Sequence, residues 1–179
     1  MSLFDLTGRV ALVTGGARGL GEASSRTLAR LGAVIVLSDI DAEAASATAD
    51  RLSTETGAQV LGRGCDVTDP DDVDRLVSGL IEELGRLDIL VNNAGIHRRV
   101  DPLDYDPEDV EAILAVNFRG AFQVAARVGR EMTRLGGGSI VNISALGGGI
   151  AGLGRAGSVY CMTKGGLVSL TREIGRSHV

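Results

Sequence analysis

Apolar residues along the chain fall into two alternating patterns. Short β-rich runs occur at residues 10–13, 34–37, 59–61, 89–91 and 140–143. They predict strands buried on both faces, as in a parallel sheet. Between them lie longer stretches with apolar residues at helical spacing. Residues 20–31 carry Ala23, Leu28 and Leu31, and residues 42–55 are alanine-rich with Leu52 on the inner face. Residues 71–84 place Val73, Leu76, Val77, Leu80, Ile81 and Leu84 on one side. The preceding "TDPDD" supplies a capping residue and first-turn acids, as helix N-termini favour. Residues 107–135 predict one long helix with Val110, Ile113, Leu114 and Val116, stopped by "GGG". Residues 160–177 predict the last helix.

Strand–helix alternation of this kind specifies an α/β fold, a doubly wound parallel sheet with helices on both faces. No repeat, linker or composition shift divides residues 1–179, so a single domain is expected. Apolar residues at 44% and charged residues at 23% fit a globular chain. A net charge of −5 argues against a nucleic-acid partner. No apolar run reaches the ~18 residues of a membrane span, and no signal-peptide pattern opens the chain. Cys65 and Cys161 have no metal or redox spacing. These features read as a cytoplasmic domain without a metal.

Chemistry first enters at "TGGARGLG", residues 14–21, between the first strand and first helix. Glycines there permit a tight turn and let a pyrophosphate approach the free N–H groups of a helix start. Gly15, Gly19 and Gly21, with Arg18 and Leu20 between them, are therefore candidate dinucleotide contacts. The second strand ends in "VLSD", which places Asp39 twenty residues after Gly19. A carboxylate there, with Ile40 beside it, can accept from both adenosine ribose hydroxyls and repel a 2′-phosphate. Arg18 pulls toward NADP, but Asp39 is aimed at the ribose itself, so NAD is expected over NADP.

The motifs "TGGARGLG", "CDVT" (65–68), "NNAG" (92–95), "VNFRGAF" (116–122) and "YCMTKGG" (160–166) occur in order along the chain. With them the sequence resembles the short-chain dehydrogenases/reductases, which have a Rossmann fold, over nearly its whole length. The resemblance implies that Asp66 and Val67 flank the adenine. It implies that Asn93 braces the fourth strand and that Ala94 and Gly95 pass close to the cofactor. It also implies further strands after the last helix that these 179 residues lack, and assembly into homodimers or homotetramers through the helices carrying Asn117 and Tyr160.

Tyr160 and Lys164 are four residues apart and share a helix face. A tyrosine, with a reference pKa near ~10, is a poor acid or base at neutral pH, and an adjacent ammonium favours its phenolate. The resemblance implies that Tyr160 exchanges the substrate proton and that Lys164 holds the ribose and tunes Tyr160. It places Asn117 in a helix kink, holding a water in a proton relay to Lys164. The family's substrate-holding serine stands second in "N-I-S-S", whereas this chain reads "VNISALGG". Ala145 occupies that place and Ser144 precedes it. One residue of slip reverses side-chain direction along a strand, but the glycine-rich loop that follows leaves Ser144 as the candidate, with Ser158 a weaker one. His97, between "NAG" and two arginines, reads as a solvated or substrate-loop residue.

The expected function is NAD-dependent interconversion of a secondary alcohol and a ketone. The substrate is a small molecule: a 3-oxoacyl carrier, a sugar or polyol, or a steroid. The alternative is a non-catalytic dinucleotide-binding or interaction module.

Overall fold

A computed structural model of the chain describes residues 4–148 and 157–177. Five strands form one parallel sheet in the order β3-β2-β1-β4-β5. They are β1 (Val10–Thr14), β2 (Val34–Asp39), β3 (Val60–Gly64), β4 (Ile89–Asn92) and β5 (Ser139–Asn142). The helices are α1 (Gly19–Arg30), α2 (Ala42–Thr56), α3 (Pro70–Leu84), α4 (Pro107–Leu114), α5 (Ala121–Arg134) and α6 (Ser158–Ser177).

Because neighbouring strand residues face opposite sides, the sheet divides the core in two. Leu12, Val36 and Leu90 pack with Val73, Val77 and Leu80 of α3 and Val124 and Val128 of α5. Ala11, Val13, Ile35 and Leu37 pack on the other side with Ala29 of α1 and Ala45, Ala49 and Leu52 of α2. The continuous apolar runs are thus explained: both faces of each central strand are covered.

Helices α2, α3 and α4 begin with aspartates. Asp41, Asp69 and Asp106 accept from the amides of Ala44, Asp71 and Glu108. Helix α1 is instead preceded by Arg18, which makes no side-chain cap.

Four expectations need correction. The inner face of α1 is Gly21, Ser25 and Ala29, whereas Ala23 is exposed. Small residues at every fourth position let this helix lie close to the sheet, a demand that a search for large apolar residues misses. Strand β3 runs on to Gly64, and β5 starts one residue early at Ser139. The single helix expected over 107–135 is interrupted by a π-helical turn, Ala115–Gly120, between α4 and α5.

Candidate functional site

The strand order reverses between β1 and β4, both of which pair with neighbours on opposite sides. Doubly wound sheets bind ligands outside the carboxyl ends of the strands at such a switch point. A cleft of about 410 Å³ opens there. Its walls bring together Gly15, Arg18, Leu20, Asp39 and Ile40 at one end and Tyr160 and Lys164 at the other. Asp66, Val67, Asn93, Ala94 and Gly95 lie between them. Of the expected contacts, Gly19, Gly21, Asn117 and Ser144 do not line it.

The glycines of the first turn have different reasons. A Cβ on Gly21 would lie 2.1 Å from the Gly15 carbonyl oxygen, so Gly21 lets α1 meet the turn. Gly19 has φ +60° and open space around its missing Cβ, so it is backbone conformation that requires glycine there.

Asp39 ties the end of β2 to this turn. Its Oδ2 accepts from the Ala17 amide at 3.2 Å and its Oδ1 from the Asp41 amide at 3.3 Å. These bonds fix the carboxylate on the cleft rim, where each oxygen keeps a further lone pair for an incoming hydroxyl. Asn93 performs the matching task across β1 and β4. Its Nδ2 donates to the Thr14 and Gly15 carbonyls, both at 3.0 Å. The buried Thr14 hydroxyl in turn accepts from the amides of Asn93 and Ala94. Thr14 heads the glycine motif, yet its bracing role has no signature in the sequence.

Asn117 lies in the π-helical turn, where the resemblance expects a kink. Its side chain is fully buried and spans the backbone of Ile96: Oδ1 accepts from the amide and Nδ2 donates to the carbonyl, each at 2.8 Å. A π turn inserts one residue and re-aims its side chain, a device common at functional sites.

Lys164 is buried, and its Nζ donates to the Ile143 carbonyl at 2.8 Å. Burial disfavours its charged form and pulls its pKa below the usual lysine value. The ammonium stands 5.9 Å from the centre of the Tyr160 ring. A Cβ on Gly95 would press on Asn117 Oδ1 at 3.2 Å and meet Lys164 Nζ only in ordinary contact at 3.5 Å.

The Ser144 hydroxyl donates to the Lys164 carbonyl at 2.7 Å, which turns it to the α6 backbone. Ser158 donates to the Val100 carbonyl at 3.2 Å. His97, by contrast, enters the cleft wall, its ring 4.9 Å from that of Tyr160 and inclined by 70°. Cys65, Ile96, Val116 and Ile143 complete the wall, unforeseen because they come from four separate parts of the chain.

Among the described residues, no group of three or more His, Cys, Asp or Glu could hold a metal ion. No described helix is long and apolar enough to cross a membrane.

The chain is similar to known proteins over nearly its full length. Residues 9–178 match the family described as short chain dehydrogenase. D-threitol dehydrogenase of Mycolicibacterium smegmatis is 38% identical over 96% of this chain and 65% of its own. Sorbitol dehydrogenase of Cereibacter sphaeroides is 38% identical over 95% of this chain and 64% of its own. A short-chain type dehydrogenase/reductase from Mycobacterium marinum superposes with a TM-score of 0.91 at 34% identity, over 96% of this chain and 68% of that one. NAD+-bound xylitol dehydrogenase superposes with a TM-score of 0.87 at 33% identity, over 93% of this chain and 63% of that one. The chain thus spans about two thirds of the length of these relatives. With the five-stranded order, the glycine turn and the Tyr160–Lys164 pair in one cleft, these matches establish that the chain belongs to the short-chain dehydrogenase family.

Proposed function

We propose that this chain carries the cofactor-binding and proton-transfer machinery of an NAD-dependent oxidoreductase interconverting a secondary alcohol and a ketone. One observation carries the reading: Tyr160 and the buried Lys164 share a single cleft with Asp39 and the first turn of α1. The cleft suits a dinucleotide. The start of α1 has no side-chain cap, which leaves its N–H groups for a pyrophosphate. The backbone-held Asp39 on the rim supports NAD over NADP.

NAD, when bound, supplies the hydride acceptor or donor. Tyr160 takes the hydroxyl proton on oxidation and returns it to the carbonyl oxygen on reduction. Lys164, whose Nζ stands 5.9 Å from the centre of the Tyr160 ring, would hold the cofactor's ribose hydroxyls beside the tyrosine. Asn117 acts through the backbone of Ile96, holding the segment after β4 that carries Gly95 in the cleft wall. Ala145 offers no hydroxyl, and the Ser144 hydroxyl is engaged by Lys164. The relatives named for threitol, sorbitol and xylitol support a sugar or polyol substrate.

Self-association is part of the same proposal. Phe118, Phe122 and Met162 are about half exposed on the π turn, α5 and α6. The Phe118 ring lies over Gly166 of α6, so these elements share one surface. A second copy covering it would give a homodimer, and a further face a homotetramer.

The reading is tested by Tyr160→Phe. NADH binding, followed by fluorescence, should stay within about twofold, while turnover on secondary alcohols falls by the ~100-fold or more typical of a lost proton-transfer group. Substantial residual turnover would place the proton transfer elsewhere. NADH binding without turnover in the unsubstituted chain would favour a binding module.

A further inference from the structure

We infer that His97 is a specificity-determining residue that hydrogen-bonds a hydroxyl on the carbon next to the reacting one, selecting vicinal diols and α-hydroxy ketones. The inference rests on the alcohol–ketone reading proposed above and adds the substrate class.

The geometry begins with the backbone on either side of residue 97. Ile96 is held at both its amide and its carbonyl by the buried Asn117. Arg98 is paired with Asp109 of α4. Val100 bridges to Gly157, and its carbonyl accepts from Ser158 at the start of α6. A five-residue stretch is thus fixed at three points, to the π turn, to α4 and to α6. That support makes an exposed loop residue a positioned one.

The side chain so placed meets Tyr160 with ring centroids 4.9 Å apart and planes at 70°. A ring inclined this steeply does not cover its neighbour face to face. Among the described residues, nothing hydrogen-bonds to the imidazole nitrogens. They offer one donor and one acceptor beside the tyrosine. The other described groups at this end of the cleft, and those of the loop after β5, are less free. Lys164 already donates to the Ile143 carbonyl, Ser144 donates to the Lys164 carbonyl, and Ala145 has only a methyl. Ile96, Val116 and Ile143 are apolar.

A substrate whose reacting oxygen bonds Tyr160 carries any vicinal oxygen within one hydrogen-bond length of it. Among the described residues lining this end of the cleft, His97 is the uncommitted polar side chain beside Tyr160. An imidazole can donate to a carbonyl or accept from a hydroxyl, so it serves both the diol and the ketone produced from it.

Propylene glycol and isopropanol form a matched pair of probes, since both present the same secondary alcohol and only the glycol has a neighbouring hydroxyl. The 179-residue chain has two histidines, so imidazole nitrogen NMR signals are few, and His97→Gln assigns the one of interest. With NAD present, propylene glycol should shift the His97 signal and isopropanol should not. In turnover, His97→Leu should lower the glycol-to-isopropanol ratio of kcat/KM by about tenfold, the scale of one hydrogen bond, and His97→Gln should recover part of it. A His97 signal that moves equally with both alcohols, or with neither, overturns the inference. So does an unchanged ratio in His97→Leu. A chain that oxidises neither alcohol while His97 responds to the glycol alone leaves the contact standing, and the alcohol–ketone reading falls instead.

Discussion

Asn117 grips the backbone of Ile96 from both sides, accepting from its amide and donating to its carbonyl at 2.8 Å. The bond pair joins the π turn to the segment that follows β4, twenty-one residues away in sequence. Asn117→Leu keeps the size and removes both partners. Each buried group left unsatisfied costs about 1–3 kcal/mol. A lower Tm is expected, together with weaker NADH binding, because Gly95 and Ile96 form part of the cleft wall. Thermal melts and NADH titration check both. An unchanged Tm would mean that water replaces the side chain at no cost.

Asp39 is held by the Ala17 and Asp41 amides before any ligand arrives, so NAD(H) should bind more tightly than NADP(H). Asp39→Ala removes the ribose partner and the repulsion of a 2′-phosphate together. A charged hydrogen bond contributes about 1.5–3 kcal/mol. The affinity gap between the two cofactors should therefore narrow by about tenfold or more. Calorimetric titration of both measures it, and equal affinities in the unsubstituted chain would refute the assignment.

Asp88 joins the start of β4 to the start of β1. It accepts from Arg86 at 2.7 Å, from the Val10 amide at 2.9 Å and from Arg9 at 2.8 Å. Arg86 first, then the Val10 amide and Arg9, hold its pKa well below the usual carboxylate range against the opposing effect of burial. A carboxyl depressed on folding stabilises the native state fully above its unfolded pKa of ~3.9. The contribution is lost as pH falls from there through the folded value. Asp88→Asn should lower stability by about 1–2 kcal/mol at pH 7. The gap between the two proteins should then close steadily below about pH 4. Urea unfolding across that range decides it, since a gap independent of pH would remove the charge from the account.

Phe122 is 54% exposed on α5. Glutamate there costs the isolated chain little, yet it places a charge at the centre of the surface proposed for self-association. Light scattering should show a dimer or tetramer for the unsubstituted chain and mostly monomer for Phe122→Glu. The same mass for both proteins would exclude this surface.

Several features follow from sequence alone because their causes are local. The strand runs, the helices α2 and α3 and the aspartate caps depend on residues within a few positions of each other. A parallel sheet with helices on both faces follows from the strand–helix alternation and is observed as expected, whereas the order β3-β2-β1-β4-β5 is set by the packed fold. Gly15, Asp39, Tyr160 and Lys164 stand in motifs whose spacing already places them at strand ends or on one helix face, and one cleft receives all four. Tertiary structure decided the rest. Which face of α1 is buried depends on how closely that helix approaches the sheet, so Ser25 and Ala29 are inside while Ala23 is out. The π turn stands where Asn117 reaches Ile96, and only the packed fold brings those two together. What Ser144 and His97 touch was decided the same way. The Lys164 carbonyl captures the serine hydroxyl, while three anchors on separate elements carry the histidine to Tyr160. Partners twenty or more residues apart leave no periodic signal in the chain, because the contact exists only once the sheet has set the distance between them.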